Sequence, residues 1–167
     1  MTILDELKEN IVFSMPYSGN MQVCVVRAED AGTYQSTEDM VGANIAVEAE
    51  SAGQKAVEAD ENLSQAEMVA VGAQSDTLME VAAGTSDVAV IDAVMAYASV
   101  GEGTSYSDLV VVDGIELGKE EYGIGFRKGS NLVEAVNTAL QELTDEGVLD
   151  ELQQKYPSVL VTLEKSA

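Results

Sequence analysis

The sequence predicts an α/β fold with a largely parallel sheet. Short apolar runs alternate along the chain with segments of helical character, which is the pattern of βαβ units. Residues 88–91 form a continuous apolar run, as expected for a strand covered on both faces. The clearest helix follows Gly129 and carries one apolar stripe from Leu132 to Leu143 at helical spacing. A length of 167 residues suits one domain.

The remaining elements follow from the same patterns. Residues 115–121 are acidic and are predicted to form a loop. Ser130 or Asn131 begins the long helix, and Asn131 with Glu134 predicts a capping box. Gly147 is expected to end that helix. Strands are predicted at 11–13, 21–27, 43–47, 68–71, 88–91, 108–112 and 122–127, and helices at 52–62, 76–83, 93–99, 130–146 and 148–156.

The charge of the chain excludes several classes of partner. There are 30 acidic and 8 basic residues, for a net charge of -22. Nucleic acids and anionic membrane surfaces need clustered Lys and Arg, so neither is an expected partner. No apolar run is long enough to span a bilayer. A basic start followed by an apolar stretch is also missing, so we expect no signal peptide within this sequence.

Catalytic and metal chemistry are poorly supported. The chain has no His and one Cys, which excludes Ser-His and Cys-His nucleophile pairs and disfavours zinc. Cys24 lies in an apolar strand and is predicted to be a core thiol. No acidic segment has the spacing of a calcium loop, and no cofactor is predicted.

The most informative polar residue is Asp92. It follows the apolar run at 88–91, at the carboxyl end of a strand, where open α/β sheets bind ligands. The same position also suits an N-cap of the next helix. Spacing alone leaves both roles open.

Four segments, in this order, resemble the extracytoplasmic amino-acid-binding proteins of ABC transporters. The first ends in Phe-Ser-Met-Pro-Tyr at 13–17, and the third contains Gly-Thr-Ser-Asp-Val-Ala-Val-Ile-Asp at 84–92. The second is residues 37–47, and the fourth is 122–129 with the two helices that follow. The resemblance covers nearly the whole chain.

The resemblance implies a type II periplasmic-binding-protein fold with one complete lobe. Residues 1–17 then end lobe one and enter the hinge, 18–121 form lobe two, and 122–167 supply the return strand and C-terminal helix pair of lobe one. The first strands and helices of lobe one have no counterpart in the sequence. We therefore expect the uncovered apolar stripe to drive self-association, with strands 11–13 and 122–127 either exchanged or paired with a second copy.

The resemblance also implies ligand contacts. Asp92 falls on the acid that binds the α-ammonium group of an amino-acid-like ligand, and such a contact is a charge-assisted hydrogen bond. Ser51 and Ala52 fall on the groups that hold the α-carboxylate at a helix N-terminus. Thr2 falls near the ligand, and Tyr17 at the first hinge crossing completes the expected site.

Two positions depart from the family pattern. The carboxylate-binding Arg of the family falls on Leu7, a loss that would weaken an amino acid roughly 10- to 100-fold. The family's Gly before the hydroxyl falls on Glu50, which puts a negative side chain beside the expected carboxylate.

Three functions remain open from the sequence. The leading one is an extracytoplasmic solute-binding component for amino-acid uptake, which delivers its ligand to an ABC transporter permease. The second is a non-binding, self-associating interaction protein derived from that family. The third is an enzyme, since a few proteins of this fold are dehydratases. It would need an acid–base pair such as Glu50 and Asp92, and no enzyme is predicted.

Overall fold

The computed structural model describes residues 3, 5–156 and 159–166. The chain divides into two compact units. Unit 1 comprises Met1–Asn20 and Lys119–Ala167, and unit 2 is the continuous span Met21–Gly118. The assignment of residues 18–121 to lobe two, with lobe one on either side, stays a prediction.

Nine strands and six α-helices make up the described chain. The strands are β1 Ile11–Phe13, β2 Ser18–Arg27, β3 Asn44–Glu48, β4 Glu67–Val71, β5 Val88–Asp92, β6 Leu109–Val111, β7 Leu117–Tyr122, β8 Gly125–Arg127 and β9 Leu160–Val161. The helices are α1 Asp5–Lys8, α2 Ala52–Ala59, α3 Gln74–Ala83, α4 Ala93–Ser99, α5 Leu132–Asp145 and α6 Val148–Lys155. None of the helices in this described part combines the length and apolar character needed to cross a bilayer.

Unit 2 is built on a mixed sheet in the order β4-β3-β5-β2-β6. β3 runs parallel to β4 and β5, as predicted. The prediction of a largely parallel sheet is wrong for β2, which is antiparallel to both β5 and β6. In the sheet, β2 lies beside β5 and β6 and not beside β3, the next strand in the chain. Its direction is therefore set by pairing between distant segments, which the alternation of strands and helices along the sequence does not record.

The core of unit 2 lies on both faces of this sheet. Along β5, Val88 and Val90 join one buried cluster, and Ala89 and Ile91 join the other. This alternation follows from the two-residue period of a strand. It confirms that the apolar run is covered on both sides. Cys24 lies in the first cluster, where burial raises the pKa of its thiol to about 12.

Helix α2 is shorter than predicted, because it ends at Ala59 and not at residue 62. Asp60 adopts an extended conformation. Its Oδ1 accepts hydrogen bonds from the backbone N–H groups of Asn62 and Leu63, each at 2.9 Å. The carboxylate therefore caps the next turn, and the backbone leaves the helix to reach it.

Unit 1 contains a two-stranded antiparallel sheet in which Val12 of β1 pairs with Phe126 of β8. Within one chain the two strands thus pair with each other, and their exchange or pairing with a second copy stays a prediction. The predicted strand at 122–127 is interrupted after β7. Ser14 replaces the ladder there, because its N–H donates to the Ile124 carbonyl (2.9 Å) and its Oγ accepts from the Ile124 N–H (3.0 Å).

Two further predictions in this region need correction. Residues 117–122 form strand β7, which pairs with β2, although their acidity predicted a loop. We attribute this strand to backbone pairing, since three of its six residues are exposed and none is buried. The capping box is also wrong, because Asn131 makes no side-chain cap and the Leu132 N–H donates to Ser130 Oγ (3.3 Å). Gly147 does separate α5 from α6, with a φ of 83°.

Candidate functional site

Asp92 lies at the carboxyl end of β5 and occupies the N-cap position of α4. Its side chain does not cap that helix. Oδ1 accepts a hydrogen bond from Gln22 Nε2 at 2.6 Å, and Oδ2 accepts one from Gln74 Nε2 at 2.8 Å. The carboxylate is thus turned away from the helix backbone and towards two neutral amides.

The sheet register brings these amides to Asp92. Gln22 on β2 is the direct cross-strand partner of Asp92 on β5, and its side chain is 1% exposed. Gln74 is the first residue of α3. It contacts Asp92 twice, because its Oε1 also accepts the Asp92 backbone N–H at 3.2 Å.

The N-terminus of α2 supplies the second part of the site. Ser51 is the N-cap, and its Oγ accepts a hydrogen bond from the Gln54 N–H at 3.1 Å. The N–H groups of Ala52 and Gly53 lie in the first turn, which has no intrahelical acceptors. Together with the helix dipole, such groups attract anions.

Gly53 explains how the two parts come together. A Cβ at this position would lie 2.7 Å from the Val90 carbonyl oxygen, 3.3 Å from Gln22 Oε1 and 3.4 Å from Ser51 Oγ. The helix can approach the end of β5 this closely only because residue 53 lacks a side chain. Ser51 and Ala52 are therefore placed on the same edge of unit 2 as Gln22 and Asp92.

Glu50 precedes the N-cap in a left-handed conformation, with a φ of 61°. Its N–H donates to Gln54 Oε1 at 2.8 Å, and its side chain is exposed. A left-handed backbone costs a non-glycine residue about 1 kcal/mol. Glu50 thus places both strain and a negative charge beside Ser51.

The remaining predicted site residues are Thr2 and Tyr17. Thr2 lies outside the described residues. Tyr17 belongs to unit 1, where its N–H donates to the Tyr122 carbonyl at 3.0 Å and its carbonyl accepts the Thr162 N–H at 3.3 Å. Leu7 is a half-buried residue of α1, also in unit 1.

Sequence reasoning missed Gln22 and Gln74. The available signal for Gln22 was a polar residue beside the apolar run Val-Cys-Val-Val in a predicted strand. Gln74 carried no comparable signal, because it lies just outside the predicted start of its helix at 76.

Unit 2 is strongly acidic. Arg27 and Lys55 are its only basic residues, against eighteen acidic ones. Arg27 lies at the other end of β2, where its Nε donates to Asp30 Oδ2 at 2.6 Å. Its Nη1 donates to the carbonyls of Val81 and Ser86 at 3.0 and 2.9 Å. The field around Asp92 therefore favours a cation.

A cavity of about 690 Å³ also lies at the Arg27 end of unit 2. Its lining includes Arg27, Glu29, Tyr106 and Asp108. Because β2 and β5 are antiparallel, this end of the sheet is opposite to Asp92. The cavity is therefore separate from the cluster described above.

In the sequence, the α/β unit 2 is inserted between the two parts of unit 1, an organisation that fits solute-binding proteins of the type II periplasmic class. The chain belongs to the bacterial extracellular solute-binding proteins, family 3, whose model matches residues 1–159. The predicted family and fold class are thereby confirmed.

Known relatives agree with this assignment. The L-cystine-binding protein TcyJ of Escherichia coli (strain K12) is 25% identical over 163 residues, covering 97% of this chain and 59% of that protein. A variant of ArgBP from T. maritima is 33% identical, with a TM-score of 0.72, over 95% of this chain and 66% of that one. An ancestral arginine-binding protein bound to arginine is 28% identical, with a TM-score of 0.72, over 93% and 68%.

These comparisons have two consequences. The relatives are solute-binding proteins and not enzymes, in agreement with the prediction that this chain is not an enzyme. The chain spans 59% of the length of the curated relative that it matches.

Proposed function

We propose that this chain is a solute-binding component for amino-acid uptake by an ABC transporter, and that it binds a cationic amino acid of the arginine class at the Asp92 edge of unit 2. The α-ammonium group of the ligand contacts the Asp92 carboxylate. Its α-carboxylate accepts hydrogen bonds from the Ser51 hydroxyl and the Ala52 N–H. The observation that supports the proposal is the close approach at Gly53, where a Cβ would lie 2.7 Å from the Val90 carbonyl oxygen and 3.3 Å from Oε1 of Gln22, the residue whose Nε2 donates to Asp92.

The two ends of an α-amino acid match the two parts of the site. Asp92 provides the strong, charge-assisted contact for the ammonium group. Ser51 can still donate its hydroxyl proton, because its Oγ acts as an acceptor towards the Gln54 N–H. The helix N-terminus then takes the role that an arginine at position 7 would have had. It does so with partial charges, so we expect modest affinity.

The charge of unit 2 supports a cationic ligand in particular. Eighteen acidic residues against two basic ones repel a ligand of net negative charge and attract one of net positive charge. Glu50 adds a negative side chain next to Ser51. A cationic side chain on the ligand offsets the repulsion of its carboxylate. The similarity to an arginine-binding protein points in the same direction, whereas the E. coli relative binds L-cystine.

Calorimetry with defined ligands tests this proposal. L-arginine should bind and L-glutamate should not. Agmatine lacks the α-carboxylate, so its affinity should measure the contact with Asp92 without the contacts of Ser51 and Ala52. Asp92→Asn should weaken L-arginine binding about 10- to 100-fold, since it removes a charged contact. Asp113→Asn, the same charge change at an exposed residue, is the control. No heat with any of these ligands at millimolar concentration, or equal effects of both variants, contradicts the proposal.

Location and partner follow from the same proposal. A binding protein of this family works outside the cytoplasm and delivers its ligand to the permease of its transporter. Exported protein in a cell-fractionation experiment would support this, and protein found only in the cytosol would contradict it.

Self-association is a further part of the proposal. In unit 1, α5 exposes Leu132 (57%) and Leu143 (39%), and α6 exposes Leu152 (46%) and Tyr156 (51%). Apolar surface of this kind favours association between copies. Sedimentation velocity should detect dimers or larger species at micromolar concentration. A clean monomer would contradict this part, and a clean oligomer that binds no amino acid would favour the non-binding alternative.

A further inference from the structure

We propose that Gln22 and Gln74 are positioning residues, which together form an amide clamp on Asp92. The clamp aims the Asp92 carboxylate at the ligand and withholds it from the N-terminus of α4. Its effect on affinity rests on the proposed function above, whereas its effect on the carboxylate does not.

The contacts of the clamp fix the carboxylate in two directions. Gln22 holds Oδ1 at 2.6 Å, and Gln74 holds Oδ2 at 2.8 Å. Gln74 also accepts the Asp92 N–H at 3.2 Å, so its amide spans the backbone and the side chain of the same residue. Rotation of the carboxylate about its side-chain bonds would break at least one of these contacts.

The chemistry of the clamp preserves the charge of Asp92. An Arg or Lys at either position would orient the carboxylate equally well, but it would also neutralise it. An amide donates a hydrogen bond and brings no net charge. The clamp takes two of the roughly four acceptor directions of a carboxylate. The two amides therefore orient the Asp92 carboxylate without adding a positive charge next to it.

Rigid elements hold the clamp. Gln22 is 1% exposed on β2, and it lies next to core residues of the same strand. Gln74 starts α3, which is anchored by Leu78 and Val81, both 0% exposed. Side chains held by packed elements keep a binding group in place better than loop residues do.

The clamp acts against a competing local interaction. An Asp at the N-cap position ordinarily accepts the N–H of the second or third helical residue, which stabilises the helix. For α4 these are the N–H groups of Val94 and Met95. Asp92 makes no such bond in the described structure. Loss of the clamp should therefore let Asp92 turn and cap α4.

A double-mutant cycle tests the link to binding. Gln74→Met keeps the length of the side chain and removes the amide. It should weaken L-arginine binding about ten-fold in the wild-type background and have no further effect in Asp92→Asn. Gln65→Met is the matched control, because Gln65 is exposed and also donates a side-chain hydrogen bond, to the Glu61 carbonyl at 2.9 Å. Equal losses of affinity in both Asp92 backgrounds would overturn the positioning role.

Amide hydrogen exchange tests the clamp without ligand. In the double variant Gln22→Met/Gln74→Met, the N–H groups of Val94 and Met95 should exchange several-fold more slowly than in the wild type, because Asp92 now caps them. Should the double variant not fold, Gln74→Met alone gives the same reading. Unchanged or faster exchange overturns the clamp. A wild type that fails to bind L-arginine contradicts the proposed function, and the exchange result then decides the clamp by itself.

Discussion

Unit 2 and unit 1 differ in how completely they bury their apolar residues. Among the described residues, every fully buried apolar side chain lies in unit 2. In unit 1, Leu132 is 57% exposed, although it belongs to the same stripe that predicts the clearest helix of the chain. Strong helical periodicity thus predicts an apolar helix face. The described part of unit 1 leaves this face of α5 partly exposed to solvent.

The difference follows from the sheets. In unit 2, five strands carry a buried cluster on each face. In unit 1, β1 and β8 form a two-stranded sheet, and β9 adds a ladder of only two residue pairs to the start of β2. Such short two-stranded pairings are marginal as a support for helices. The candidate site consists of unit 2 residues alone, so its geometry depends on the better-packed unit.

Matched leucine truncations give the largest expected contrast. Leu78→Ala in α3 should cost about 2–5 kcal/mol of unfolding free energy, because Leu78 is 0% exposed and leaves a cavity. Leu143→Ala in α5 should cost no more than about 1 kcal/mol, since Leu143 is 39% exposed. Urea unfolding read by hydrogen exchange on peptides from each unit measures both. A larger, concentration-dependent cost at Leu143 would indicate that a second copy covers α5.

Gly53→Ala should have the next largest effect. The added Cβ would lie 2.7 Å from the Val90 carbonyl oxygen, so α2 must shift away from β5 at a cost of about 1–3 kcal/mol. Gly32→Ala is the control, because nothing lies within 4 Å of a Cβ there. Thermal unfolding of both variants gives the comparison. Equal stabilities would show that α2 does not depend on this close approach.

Glu50→Gly should stabilise unit 2 by about 1 kcal/mol, because it relieves the left-handed conformation at a φ of 61°. It should also tighten L-arginine binding by removing a charge beside Ser51. Glu48→Gly makes the same charge change within strand β3 and should instead destabilise the unit by a similar amount. Chemical denaturation distinguishes them. A loss of stability in both variants would contradict the strain at Glu50.

The smallest expected effect concerns the C-terminal segment of unit 1. Hydrogen bonds from the Ser166 N–H (2.7 Å) and Gln141 Nε2 (3.0 Å) lower the pKa of Asp145 from its ordinary 3.8. The Ser166 contact should therefore persist above pH 3.8 and be lost only as pH falls through the lowered value.

A second pH limit concerns Lys165. A hydrogen bond to Asp150 raises the pKa of Lys165 from 10.5, so the ion pair between Lys165 and Asp150 persists below pH 10.5 and is lost as pH rises through the raised value.

The amide resonance of Ser166, followed by NMR over this pH range, measures the acid limit. Asp145→Asn should remove its acid transition. A midpoint at or above 3.8 in the wild type would contradict the attachment of Ser166 to Asp145.

The sequence alone determined the α/β class, the double-faced burial of β5 and the position of Asp92 at a strand end. Local signals suffice for these features, because an apolar run and the residue that ends it are contiguous in the chain. The family also followed from the order of four segments. Gly147 between two helices was predicted for the same local reason, since a helix C-terminus selects glycine.

Only the tertiary structure decided which groups hydrogen-bond to the Asp92 carboxylate. Gln22 reaches it across 70 residues of sequence through the β2–β5 register, and Gln74 reaches it from the start of α3. The direction of β2 and the pairing of the acidic strand β7 are long-range properties of the same kind. Strand pairing depends on where distant segments meet, and neither composition nor periodicity records this. From the sequence, Asp92 could have capped α4. In the fold its carboxylate instead accepts hydrogen bonds from Gln22 and Gln74, which are distant from it in the sequence.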